Sequence, residues 1–131
     1  MSTGPFAAAS PMLIDVHTVF AWVVVVTNGV AGAWSLIGHY VEAVRHRALW
    51  WFTAVAELAI FAQVVLGVVL AQGYGGDGLK MHMFYGFVAA FTVAIVYSYR
   101  AQLEPHRYLL YGLGGLFLMG LCLRAIYLNP A

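Results

Sequence analysis

From His17 to His39 the chain is almost unbroken Val, Ala, Trp, Phe, Leu, Ile and Gly, interrupted only by Thr18, Thr27, Asn28 and Ser35. A run this long and this apolar can bury its backbone polar groups only as a helix, with every N–H and C=O paired inside the segment. At about 100° per residue, His17, Asn28, Ser35, His39, Glu42 and His46 all fall within roughly 40° of one direction. The stretch therefore reads as one greasy helix with a single polar seam, the pattern of a helix set in lipid with one side turned towards partner helices.

The rest of the chain repeats the theme. Only 8% of its 131 residues are charged, against about 25% in a soluble domain, too few to cover a water-facing surface. The formal net charge is +1, which supplies no basic patch and points away from nucleic acid as a partner. Four segments meet the requirement of about 20 apolar helical residues for a bilayer core: roughly 12–43, 49–71, 81–99 and 106–128. The expected fold is all-α, a single domain forming an integral membrane four-helix transmembrane bundle with short loops and antiparallel neighbours. Residues 1–11 read as a short arm, with Pro11 at the start of the first helix. They carry no Lys or Arg, unlike a secretory n-region, so the first apolar run reads as a retained span. The Gly-rich stretch 72–80 lacks the Gly-Lys-Ser/Thr ending of a phosphate-binding loop and reads as a flexible turn.

Small residues at Gly29, Gly32, Ala33 and Gly38, and again at Gly112, Gly114, Gly115 and Gly120, offer surfaces for close helix packing. Arg45, Arg47, Arg100 and Arg107 lie at one end of the expected bundle and Lys80 and Arg124 at the other. By the positive-inside rule, loops 44–49 and 100–106 are expected in the cytoplasm and both termini outside. Cys122, the only cysteine, lies in an apolar run and reads as core filler.

The alternating helices sort the histidines by membrane face. His17 and His82 open the first and third spans at the outer face. His39 closes the first span and His106 opens the fourth, both at the inner face, about 33 Å away at 1.5 Å per residue. Histidine suits a membrane interface for its own sake, with an apolar body and a polar tip. Facing histidines on different helices also suit a haem iron or another metal. In this layout, with His17, His39, His82, His106 and the run KMHMFYGFVAA at the third span, the chain resembles small four-helix b-type cytochromes of bacterial membranes, and more loosely haem A synthase. The resemblance implies haem b on paired histidines, electron transfer, membership of a respiratory assembly, and a bacterial plasma membrane.

Three other features compete as sites. His39, Glu42 and His46 follow helical spacings of three and four, a His-carboxylate set suited to a transition metal. Glu57 lies about 10 Å inside the inner face, where a bare carboxylate costs about 2.5–3.5 kcal/mol. It is expected to be neutral or paired, with Arg100, Tyr97 and Ser98 as partners by depth. Asn28 and Gln63 fall near the midplane, and with Thr92 they are expected to tie helices together by hydrogen bonds. Besides a haem-binding electron-transfer protein, the residues thus allow a non-catalytic accessory subunit docking onto other membrane subunits, or a small transporter or proton-conducting bundle centred on Glu57.

Overall fold

The computed structural model describes residues 5–71 and 76–128, with the side chains of the first helix described from Pro11 on. Four long helices follow one another: α1 (Pro5–Tyr40), α2 (Arg47–Ala71), α3 (Asp77–Ser98) and α4 (Arg107–Tyr127), with short 3₁₀ turns at Glu42–Val44 and Glu104–His106. All four are long and apolar enough to cross a membrane.

The boundaries differ from the expected ones where side chains intervene. Pro11 lies inside α1 rather than at its start. The expected arm at residues 1–11 is partly helical, and its first four residues lie outside the described residues. At the other end α1 stops at Tyr40 instead of running to 43, and Val41 is extended. Arg45 ends the helix: its Nε donates to the Gly38 carbonyl at 2.6 Å and its Nη2 to the His39 carbonyl at 3.3 Å. Those carbonyls have no partner within the helix, and a guanidinium satisfies them with charge of the favourable sign. The Trp34 indole N–H then donates to the Val44 carbonyl at 2.8 Å, folding the turn back on α1. The Gly-rich stretch splits. Residues 72–75 lie outside the described residues, Gly76 takes φ +91°, and Asp77 to Lys80 already form the first turn of α3. Asp77 sits where a carboxylate favours the helix dipole.

The helices pack in ring order. The most extensive interface joins α1 to α4, followed by α1–α2 and α3–α4, with α2–α3 looser; the diagonal pairs approach little. Glycine sets the α1–α4 distance. A Cβ added at Gly32 would lie 2.7 Å from the Leu116 nitrogen, and one added at Gly115 would lie 2.7 Å from the Gly32 Cα. Gly112 meets the backbone of Leu36 as closely, at 2.9 Å. Backbones this near leave room for no side chain, and close packing replaces the hydrophobic effect that lipid does not supply. Ala33, expected on the packing face, points outwards, and a Cβ at Gly120 would meet nothing within 4 Å. A core of Val24, Ile60, Ala89, Val93, Leu118 and Leu121 fills the middle of the bundle.

The polar seam of α1 faces its neighbours over the upper two-thirds of its length. The Asn28 amide donates to Val24 O at 2.9 Å and across to Ala56 O of α2 at 3.2 Å. The Ser35 hydroxyl donates to Tyr108 O of α4 at 2.8 Å. Below Tyr40 the seam is broken, because the helix that would carry it has ended.

Candidate functional site

The start of α1 and the start of α3 lie at the same end of the bundle, one helix diagonally opposite the other. His17 projects from the first and His82 from the second, and their rings meet with centroids 6.0 Å apart and planes at 75°. Each ring is half-buried.

The surroundings hold both rings. His82 Nδ1 lies 2.6 Å from the Ala125 carbonyl of α4. A carbonyl can only accept, so Nδ1 carries a proton, and in the neutral ring Nε2 keeps the lone pair. Beside His17, α2 carries Gly67, where a Cβ would come within 3.3 Å of the imidazole Cε1. One turn earlier, Gln63 Nε2 donates to the His17 carbonyl at 2.7 Å. Two buried polar atoms here have no partner among the described residues: His17 Nδ1 and Gln63 Oε1. The walls are otherwise apolar, with Trp22, Val64, Phe87 and Ile126 among them, around a cavity of about 90 Å³.

The donor set separates the metal chemistries. Two imidazoles on one ion at about 2.0–2.1 Å per nitrogen bring their ring centres to roughly 5–6.5 Å, and the observed 6.0 Å falls in that range. Among the described residues no group of three or more His, Cys, Asp or Glu side chains could hold a metal. A closed structural zinc site needs four protein ligands, whereas a haem iron, already ligated by its macrocycle, would need only two side chains such as His17 and His82. In donor chemistry the pair fits a haem. The cavity is smaller than a macrocycle, so binding one requires α1 and α3 to part. They pack little on each other, but each packs on α2 and α4, so the opening is shared by those interfaces.

The other expected site residues are dispersed. The His39 ring packs edge-on against Tyr40 at 4.8 Å, and His106 is exposed in the turn before α4. The expected metal set of His39, Glu42 and His46 depends on one continuous helix, which the break after Tyr40 removes. Glu42 instead faces Arg45 at 3.8 Å. His46 Nδ1 accepts the Ala48 amide at 3.0 Å and so caps α2. The two intramembrane amides each tie α1 to α2 as expected, Asn28 at the Ala56 carbonyl and Gln63 at that of His17, whereas the Thr92 hydroxyl bonds Val88 of its own helix at 2.8 Å.

Glu57 is placed differently from expectation. The Ser98 hydroxyl bonds Ala94 within α3 at 2.7 Å, and Arg100 lies over the Tyr97 ring at 3.7 Å, so neither pairs directly with the carboxylate. Instead Glu57, Tyr97 and Arg100 line one cavity of about 440 Å³ between α2, α3 and α4. Sequence reading missed three of its other walls, Thr53, Arg107 and Tyr111. Thr53 lies one turn before Glu57 on the same helix face, a signal that helical spacing carries. Gly67 lies one turn beyond Gln63 on the His17 side, but nothing local distinguishes it from a packing glycine.

A scan of family models finds no match to this chain, and searches of curated proteins and of solved structures find no similar one.

Proposed function

We propose that the chain is an integral membrane protein whose His17–His82 pair holds a b-type haem, so that it serves as an electron-transfer protein or as a subunit of a respiratory assembly. The observation that carries this reading is the meeting of two imidazoles from diagonal helices in an apolar setting, with His82 Nδ1 engaged by Ala125 so that Nε2 is the donor atom of the neutral ring. A bound haem supplies one-electron redox chemistry. The protein's own contribution is orientation and exclusion of water. The Ala125 carbonyl fixes the tautomer and plane of His82, as outer partners of ligating histidines commonly do. Gln63 ties the α1 backbone at His17 to α2, and Gly67 leaves His17 the space its ring occupies. Apolar walls lower the local dielectric around the iron, one of the levers on its potential.

The outward side chains support a bilayer setting. Val19, Val55, Leu58 and Phe91 are each more than 60% exposed, which suits hydrocarbon and is unfavourable in water. The arginine-rich end, with Arg45, Arg47, Arg100 and Arg107, faces the cytoplasm by the positive-inside rule, so the His17–His82 pair lies near the outer face.

Expression with ample haem and extraction in mild detergent tests the reading. The purified protein should show a Soret band that sharpens on reduction. His17→Ala and His82→Ala should each lose it, while His39→Ala keeps it and all three retain helical circular dichroism. A colourless wild-type protein sinks the proposal.

A further inference from the structure

The larger cavity lies at the opposite end of the bundle from the histidine pair, and the haem reading makes no use of it. Its α2 wall is a single helix stripe: Trp50, Thr53, Ala54 and Glu57. Opposite stand Tyr97 and Arg100 from the end of α3, Glu104 from the turn before α4, and Arg107 and Tyr111 from the first turns of α4. At about 440 Å³ it falls in the range of small-molecule sites, about 300–1,000 Å³.

Its charges are arranged unusually. Glu57 and Arg100 line one space, yet the ion pairs among the described residues join Arg45 to Glu42, Lys80 to Asp77, and Arg107 to Glu104. Neither Glu57 nor Arg100 belongs to one. Arg100 spends one Nη1 proton on the Tyr97 carbonyl at 2.8 Å and keeps its other donors. The Arg107 guanidinium lies over the Trp50 ring at 4.8 Å and 3.4 Å from Glu104. Thr53 is only 6% exposed, and its hydroxyl has no partner among the described residues. Chain order sets the depth. Arg100 and Arg107 lie at the helix ends, by the mouth, and Glu57 lies deeper, in the zone of the Tyr97 and Tyr111 rings.

Opposite charges that share a cavity without pairing are matched by a ligand of reversed polarity. We propose that this cavity binds a zwitterionic phospho-amine. The phosphate is held by the guanidiniums of Arg100 and Arg107, and the ammonium by Glu57 between aromatic rings. Arginine's planar donor fork suits phosphate, and a carboxylate flanked by aromatic faces suits an alkylammonium ion. A purely anionic ligand leaves Glu57 facing like charge, and a simple amine leaves Arg100 unmet, since Arg107 already has Glu104. The ligand is either the headgroup of a phosphatidylethanolamine-type lipid, for which basic pockets between helices at a membrane surface are suited, or the free phospho-amine.

The test uses the full chain in nanodiscs holding phosphatidylethanolamine and phosphatidylglycerol in equal amounts, with retained lipid counted by native mass spectrometry. Both lipids carry the phosphate and only the first carries the amine. The wild type should retain phosphatidylethanolamine in roughly tenfold excess, about the effect of one partly buried charged contact. Glu57→Gln should bring that ratio close to one. Arg100→Gln, at an exposed position that folding tolerates, should reduce retention of both lipids. Added O-phosphoethanolamine distinguishes the sources: displacement of the lipid identifies the free phospho-amine as a ligand, and an unchanged preference identifies the lipid. Equal retention of the two lipids by the wild type, or a preference that survives Glu57→Gln, overturns the proposal.

Discussion

At the scale of single residues, the seam on α1 divides into positions that join helices and positions that do something else. Asn28 is 1% exposed and bonds Ala56 of the neighbouring helix. Asn28→Leu removes that link, and the expected loss is about 0.6–2 kcal/mol of bundle stability, the range for interhelical hydrogen bonds in membranes. Unfolding in a mixed-detergent titration measures it. Gly67 makes a sharper case, because it has no role of its own except to leave His17 its space. A Cβ at 3.3 Å from the imidazole is already tight, and the branched side chain of Gly67→Val displaces the ring. If the pair holds haem, Gly67→Val should lower haem occupancy as strongly as His17→Ala does, while the helical circular dichroism is kept. Normal haem content in Gly67→Val separates the two histidines' contact from haem binding.

At the scale of elements, the α1–α4 crossing is the most demanding contact in the fold. Gly32 and Gly115 touch backbone to backbone, so any Cβ must push the helices apart. Gly32→Val is expected to cost at least about 1–3 kcal/mol, the usual penalty of overpacking. Gly120→Ala meets open space within the same helix bundle and should be neutral or stabilising by up to about 1 kcal/mol from helix propensity. Comparing the two variants by thermal aggregation in detergent separates packing from propensity. The list of glycines was readable in the sequence. Which of them face a partner was not, because that depends on the rotation of each helix about its own axis, which composition leaves open. The end of α1 was misplaced for a similar reason. Hydropathy carries the helix on to residue 43, but Arg45 reaches back to the carbonyls of Gly38 and His39 and closes it at Tyr40.

At the scale of the whole molecule, charge placement predicts the orientation of the bundle. With Arg45, Arg47, Arg100 and Arg107 on the cytoplasmic side, a membrane-impermeant maleimide applied to intact cells should label Gly78→Cys and spare Gln102→Cys, both in a Cys122→Ala background. Permeabilisation should expose the second. The reverse pattern inverts the bundle and places the His17–His82 pair at the inner face.

The sequence by itself determined the number, the approximate limits and the apolar character of the helices. It also carried the grouping of His17 with His82 at one end and of Glu57 with Arg100 at the other. Those properties are local or follow from alternation along the chain: hydropathy over about 20 residues, and one change of direction per loop. Tertiary structure decided which groups touch. It brought His17 and His82 into contact across a diagonal and left His39 and His106 apart. It gave His46 to a helix cap, and it set Glu57 beside Thr53, Arg107 and Tyr111 in a cavity rather than against Ser98. Contacts of this kind depend on helix rotation, tilt and the backbone spacing that glycines permit. These are settled only when all four helices pack at once.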